Sequence, residues 1–423
     1  LETDMTSTPV AVLGAGQAGL AVSRLLTDAD IEHVVLDRGR PAERWRSRPW
    51  ESLRTLSPNW MSRLPGWVYT GADPHGFMPA REVADYLTAY ARSFAAPVVT
   101  GAEIESLRTA LGVYRIDTSV GSWSARAVVV ATGWCDLPVV PDAASALDAS
   151  LAQETAATYA NPAGLPDGGV LVVGASASGV QLADELAAAG RNVVLAVGTH
   201  TRLPRIHRGM DILWWLSTMG TLDEQVRPAP THAAAEPSLQ LAGRPDRRDV
   251  DLAALQARGV TLAGRLRDLE GRRARFADDL PASITDADLR MGRLLHRVDA
   301  YAHAVGLDDE IEPPARAPRT ARAAGAPREL DLAAAGIGSV LWATGYRRAY
   351  PWLHVPVLDD DGEIRHVAGT TDAPGLHVMG MRRQTRRTST FIDGVRHDAA
   401  LVTDRILADL GAARPDRQLR SAA

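Results

Sequence analysis

Two stretches of this chain read strand, tight glycine turn, helix, strand. A chain that carries that order twice is constrained to two parallel sheets, each with a nucleotide crevice at one edge. Residues 9–13 form a short apolar run followed by GAGQAGLAVSRLL, whose apolar residues recur at helical spacing, and a second strand is expected over residues 33–37. The order returns with a strand at 169–173, then GASASG, the helical VQLADELAAAG, and a strand over 192–196. Residues 127–130 read as a strand ending in ATG, and 339–342 repeat that pattern with ATGY. The Pro/Gly-rich stretch 161–169 is expected to be a linker or turn before the second unit. A chain of 423 residues accommodates two, at most three, packed domains.

Gly14, Gly16 and Gly19 fit G-x-G-x-x-G directly after a strand. The first glycine permits the tight turn, the second lets a pyrophosphate approach the backbone, and the third lets helix and strand pack closely. The loop Gly14, Ala15, Gly16, Gln17, Ala18 and Gly19 then offers a phosphate unpaired amides at the positive end of the helix dipole. Asp37, with Arg38 beside it, stands at the end of the second strand, placed to accept hydrogen bonds from a ribose. The second motif keeps Gly174 and Gly179 but has Ser176 in the middle, with Ser178 after it. A serine there admits a dinucleotide if the loop backs away slightly. No acid ends the following strand. His200, Arg202 and Arg205 lie nearby to meet a 2′-phosphate, which favours NADPH over NADH, unless they are surface residues leading into an arginine-rich loop. Two dinucleotide sites imply one bound redox cofactor, one diffusible reductant and hydride transfer between them.

Composition narrows the chemistry. The balance of 46 basic and 51 acidic residues gives a net charge of −5, so there is no electrostatic footprint for nucleic acid. No lysine occurs, which removes Schiff-base chemistry and the lysine-dependent phosphate loop, and leaves phosphates to arginine or backbone amides. Cys135 is the single cysteine, so an internal disulfide, a CxxC pair, a cysteine zinc site and a disulfide reductase are all excluded by count. A reducing, cytoplasmic compartment fits. No metal site is expected, and no apolar run reaches the roughly 18 residues of a membrane span. Residues 200–330 lack a clean alternation, with a Pro/Arg/Ala-rich segment at 313–328, and are expected to form a helical insertion and a return connection. In it, Trp214, Trp215 and Met219 form either an apolar substrate wall or the packed face of an amphipathic helix.

With those motifs in hand, the sequence resembles the class B flavin monooxygenase superfamily, in particular a bacterial branch of single-chain flavoproteins. The likeness runs through GAGQAGLAVSRLL, VVLDRG, RWRSRPWESLRTLSPNWMSRLPG, FMPAREVADYL, VVVATGW, VLVVGASASGVQLADEL, LWATGY and RRTSTFIDGVRHDA. It implies an α/β fold of two Rossmann-like domains, FAD in the first and NADPH in the second. The second is inserted in the first and carries a helical insertion. The expected boundaries are 1–160 and 336–423 for the FAD domain and 161–335 for the NADPH domain. It also implies that Arg44, Trp45 and Leu53 line the flavin, that Asn59 sits near its reactive edge, and that Ala131, Thr132 and Gly133 turn the chain between domains. Thr344 and Gly345 repeat that last pattern. Phe391, Ile392, Asp393 and Gly394 would begin a helix whose amides face the flavin pyrimidine, with Asn59 and Asp393 as the catalytic pair. Trp45 and Asn59 also read as a core aromatic and a turn former. The family fingerprint before the second glycine motif is degenerate: Tyr159 and Asn161-Pro162 match its end, but Thr155 holds the histidine position and its Phe and Gly are missing around Ser150 and Leu151.

The implied activity is NADPH-driven reduction of FAD, addition of dioxygen at the flavin C4a carbon as a (hydro)peroxide, and transfer of one oxygen atom to a small organic substrate. Nitrogen, sulfur and Baeyer–Villiger oxygenation all fit. A flavin oxidase or reductase without oxygen transfer, and a non-enzymatic redox sensor, stay open. A small-molecule substrate and dioxygen are the partners expected, and a homodimer is left open.

Overall fold

The central strands of the two larger sheets are apolar runs too continuous to sit on a solvent-facing surface. The computed structural model describes residues 5–47, 50–110, 112–225, 238–314 and 319–411. In the first unit, β1 (Met5–Leu13) leads into α1 (Gln17–Asp28) and β2 (His33–Asp37). There follow α2 (Ala80–Ser93), β3 (Val98–Thr100), β4 (Ile104–Ala110), β5 (Val113–Thr118) and β6 (Gly121–Val130). In the second unit come β7 (Ala152–Thr155), β8 (Gly169–Val173), α3 (Ala177–Ala188), β9 (Val193–Ala196), β10 (Thr261–Ala263), α4 (Leu280–Ala304) and β11 (Ile337–Trp342). The chain then returns to the first unit with β12 (Leu376–Val378) and α5 (Val395–Leu410).

The first sheet has the order β3-β2-β1-β6-β5-β4, with β12 added to the second half of β6. Strands β3, β2, β1, β6 and β12 are parallel, while β4 and β5 join as an antiparallel meander. The apolar face of α1 packs with α2 and α5 on one side of this sheet around Leu20, Leu26, Leu87 and Val402. On the other side lie Leu107, Ile116, Tyr350 and Leu353. The second sheet is wholly parallel, β7-β11-β8-β9-β10, and all five residues of β8 are buried, as expected for a strand covered on both faces.

Sheet membership moves the expected boundaries. Strand β7, expected in the first domain, and β11, expected in the C-terminal part, both belong to the second sheet. The chain therefore crosses between units after Val130 and after Trp342 rather than at residues 160 and 335. The two crossings pair with each other, Tyr346 with Pro138 and Arg347 with Leu137. The stretch 200–330 is also less helical than expected. It holds α4 and two short helices, Ile212–Thr218 and Leu252–Ala257, but also β10, the third strand of the nucleotide unit, and an antiparallel sheet of Leu266–Glu270, Arg273–Phe276 and Glu329–Asp331. Residues 315–318 of the Pro/Arg/Ala-rich segment lie outside the described residues. Trp215 is fully buried with Val298 and Ala302 and donates its indole N–H to the His207 carbonyl at 2.8 Å, while Trp214 and Met219 pack half-buried against the same cluster. The packed-helix reading holds for these three.

Candidate functional site: two glycine cradles

The first cradle is made by absence of side chains. Gly14 has φ +110°, a conformation side chains disfavour, and a Cβ there would lie 2.5 Å from the Ala131 carbonyl oxygen. At Gly19 a Cβ would drive into the Gly14 carbonyl oxygen, so turn, helix and the β6 exit lock together without side chains. Gly16 differs: nothing of the protein lies within 4 Å of where its Cβ would be. The helix it caps has no side-chain cap and no acid in its first turn, so its leading amides face open space. An anion fits that opening and an N-cap carboxylate does not compete for it. Asp37 is held by backbone donors, accepting Ala15 N–H at 2.6 Å and Gly39 N–H at 2.7 Å, which leaves carboxylate lone pairs directed at the crevice mouth. Gln17 begins α1, Ala18 is buried beside Gly380, and Arg38 and Arg44 both approach Asp136 at 3.6 and 3.8 Å.

The second cradle repeats this geometry. Gly174 has φ +107° and a Cβ on it would lie 2.5 Å from the Ala343 carbonyl oxygen; a Cβ on Gly179 would again strike the Gly174 carbonyl. Ser176 sits at φ −82°, ψ −168°, against φ −82°, ψ −176° for Gly16. The loop therefore does not back away to admit the serine, contrary to expectation. The middle position does not use glycine's backbone freedom. Ser178 follows in the uncapped first turn of α3. The two ATG segments match as well: Ala131 donates to Leu13 at 2.8 Å and Ala343 to Val173 at 2.9 Å, with Gly133 and Gly345 at φ +92° and +98°. Thr132 lies between them in the first, and Thr344 in the second donates its hydroxyl to the Val139 carbonyl, tying the two crossings together.

The expected catalytic pair is corrected by its hydrogen bonds. Asn59 is 4% exposed, and its amide accepts from Met78 N–H at 2.8 Å and donates to the Asp73 carbonyl at 2.9 Å. Both ends of the amide help close the 73–78 loop, so Asn59 shapes the chain there. Asp393 receives a two-pronged Arg63 guanidinium at 2.7 and 2.8 Å and Arg396 at 3.1 Å. The carboxylate is occupied by two guanidinium groups. It pins the hairpin Arg63–Leu64/Trp67–Val68 to the start of α5, where Phe391, Ile392 and Gly394 lie. Gly394 has no room for a Cβ because of the Thr388 carbonyl. Trp45 packs half-buried on the first core, and Leu53 packs against the second unit's core. Asp393→Asn is expected to keep the fold but lower the melting temperature by a few degrees, for a loss of about 1–3 kcal/mol in charge-assisted hydrogen bonding. Thermal denaturation checks this.

The basic residues after β9 are corrected too. His200 is 1% exposed, its Nδ1 lying 3.1 Å from the Gly198 carbonyl, and burial holds its pKa below the usual value, so it carries no charge for a phosphate. Arg202 is closed in by Asp251 at 2.8 Å, Asp288 at 2.5 Å and the Arg319 carbonyl. Arg205 binds Asp211 at 2.8 Å and the Leu56 carbonyl at 2.7 Å, and its guanidinium lies 4.4 Å from the Phe77 ring centre, fastening the second unit to the first. The sequence reading missed Arg63, whose partner is 330 positions away, and Trp134, over which Arg348 and Arg382 lie at 5.6 and 4.7 Å. Trp134 follows the first ATG directly, and that adjacency was a usable signal.

An open cavity of about 720 Å³ lies beside α5, bounded by Leu64, Gly66, Arg386, Arg396 and Leu401. Among the described residues no helix is long and apolar enough to cross a membrane. Cys135 is half-buried, and burial pushes its thiol pKa up, the reverse of an activated thiolate.

Comparison with known proteins agrees with the double cradle. Residues 11–217 match the pyridine nucleotide-disulphide oxidoreductase family. An uncharacterized CzcO-like oxidoreductase of Geobacillus kaustophilus is 30% identical over 401 residues, 94% of this chain and 98% of its own. The indole-3-pyruvate monooxygenase YUCCA4 of Oryza sativa is 31% identical over 194 residues, covering 41% of this chain and 44% of its own. In fold, the chain resembles a doubly substituted flavin monooxygenase from Stenotrophomonas maltophilia, with TM-score 0.67 and 20% identity over 96% of this chain and 99% of that one. Near-complete alignment with the Geobacillus protein, on a framework with two dinucleotide cradles, makes this chain a member of the CzcO-like oxidoreductases.

Proposed function

We propose that this enzyme is a monooxygenase that consumes NADPH and dioxygen to place one oxygen atom on a small organic substrate at nitrogen, sulfur or a ketone carbon. The observation that carries the reading is the pair of uncapped helix starts, α1 and α3, each facing a glycine cradle of the same backbone geometry in a chain with one cysteine. A disulfide reductase that cycles an internal dithiol on this plan needs a second thiol. In the first cradle, the α1 amides seat the FAD pyrophosphate and Asp37 accepts from its ribose. In the second, the α3 amides seat the NADPH pyrophosphate. When bound, FAD accepts a hydride from NADPH and hands reducing equivalents to dioxygen. The start of α5 would hold the flavin pyrimidine at its positive end, and the Arg63–Asp393 pair fixes the neighbouring hairpin to that start. The paired crossings at 137–138 and 346–347 set how the two cradles face each other.

One observation favours a second reading, an NADPH oxidase or reductase without oxygen transfer. Thr155, in the fingerprint's histidine position, lies 9% exposed at the end of β7, its hydroxyl 3.1 Å from Thr158 within its own turn. Nothing in that turn replaces an imidazole. Purified enzyme with FAD, NADPH and a panel of amines, sulfides and ketones separates the two. Monooxygenation predicts an oxygenated product by mass spectrometry and peroxide below the NADPH consumed. Peroxide equal to NADPH for every compound, with no product, sinks the proposal.

A further inference from the structure

We propose that Arg265, reaching across from the neighbouring strand with Thr199 beside it, reads the 2′-phosphate of NADPH and sets the preference for the phosphorylated dinucleotide. This rests on the reading of the second unit as the NADPH site.

Strands β9 and β10 are parallel neighbours whose last residues, Ala196 and Ala263, are paired. Val197 N–H still bonds the Ala263 carbonyl at 3.0 Å. The segments that follow, Val197-Gly198-Thr199 and Gly264-Arg265, therefore leave the sheet side by side at its C-terminal edge. In a doubly wound unit the adenosine ribose of a dinucleotide lies past the tip of the second strand at that edge. No carboxylate occupies the tip: Val197, Gly198 and Thr199 offer nothing ionised to accept a free ribose 2′-hydroxyl. In its place stands the Arg265 guanidinium, donating to Thr199 Oγ1 at 3.0 Å and lying 3.6 Å from where a Cβ on Gly198 would be. An arginine fork and a hydroxyl at one point make a receptor for a dianionic phosphate and a poor one for a hydroxyl.

What separates Arg265 from Arg202 is availability. The Arg265 side chain is 57% exposed against 5% for Arg202. Its one carboxylate neighbour, Asp279 at the start of α4, stands 3.6 Å from Nε and already accepts the Arg265 backbone N–H at 3.0 Å. That loose, solvated pair yields readily to a phosphate. Arg290, the other guanidinium on this side, donates to the His200 carbonyl at 2.7 Å and stays with the backbone.

The test uses the full chain and two probes, adenosine 2′,5′-bisphosphate and 5′-AMP, titrated by calorimetry, with rapid-mixing measurement of flavin reduction by NADPH and NADH. The wild type is expected to bind the bisphosphate more tightly than 5′-AMP. Arg265→Ala should weaken the bisphosphate by roughly tenfold to a hundredfold and leave 5′-AMP affinity unmoved. Arg265→Lys should recover part of the loss, since a charge remains without the fork. Equal bisphosphate affinity in wild type and Arg265→Ala, with NADPH still reducing the flavin, overturns the assignment of Arg265 alone. Failure of the wild type to bind either probe or to be reduced by NADPH overturns the NADPH reading beneath it.

Discussion

Gly16→Ala is expected to give a folded chain that no longer retains flavin, and Gly19→Ala, three residues on, a chain that fails to fold stably. The two glycines belong to one motif but face different things. A Cβ at Gly19 meets the Gly14 carbonyl oxygen and lies 3.2 Å from Val12 Cγ1, so relief requires moving the backbone of the turn that joins β1 to α1. Overpacking against backbone costs about 1–3 kcal/mol or more, and here it sits at the centre of the first sheet. A Cβ at Gly16 meets no protein atom within 4 Å, and the residue already has φ −82°, which alanine adopts freely. The protein alone loses nothing by the substitution. The added methyl stands where a pyrophosphate must approach the α1 amides. The readouts are the visible flavin absorbance per chain after purification and the shift in melting temperature on adding FAD, which stabilises only a chain that binds it. Gly16→Ala should melt like wild-type apoprotein and show no FAD shift. Retention of flavin by this variant at wild-type stoichiometry would refute the placement of the cofactor in this cradle.

The same contrast shows what a sequence can disclose. The two βαβ units were readable because everything that specifies them is local: an apolar run, a glycine turn, a helical period and a second apolar run within about 30 residues. The substitution of Ser176 for a glycine was visible, but that it leaves the backbone of the turn unchanged was not, because φ and ψ at that position follow from packing around Gly174 and Gly179. The unit boundaries were misplaced for a related reason. Strand β7 is four residues long, and its identity comes from pairing with β11, Ala152 with Ser339 through Thr155 with Trp342, a partnership far beyond any periodic window. Strand β10 is three residues long and likewise declares itself only beside β9. Site residues followed the same division. The glycines and the ATG turns act through backbone geometry, which a local sequence pattern discloses. Asn59 and Asp393 were expected as the catalytic pair and Arg202 as a phosphate ligand, whereas their hydrogen bonds are made with partners supplied by distant segments.

Arg202→Ala is therefore expected to behave as a stability mutation and not as a coenzyme mutation. The side chain is 5% exposed and holds Asp251, itself 8% exposed, together with Asp288. Asp251 also accepts Ala254 N–H at 2.8 Å and so caps the helix Leu252–Ala257. Removing the guanidinium leaves two carboxylates facing each other across a cavity and an unpaired Arg319 carbonyl. Breaking one side of a buried ion pair costs about 3–5 kcal/mol, because the remaining charge stays desolvated. In a chain of 423 residues that corresponds to a fall in melting temperature of roughly 4–6 °C. The ratio of affinities for adenosine 2′,5′-bisphosphate and 5′-AMP should stay at its wild-type value, because the guanidinium faces the 251–288 interior and not the tip of β9. A variant that melts with the wild type but loses selectivity for the 2′-phosphate would return Arg202 to the coenzyme site, and with it the reading that sequence position alone suggested.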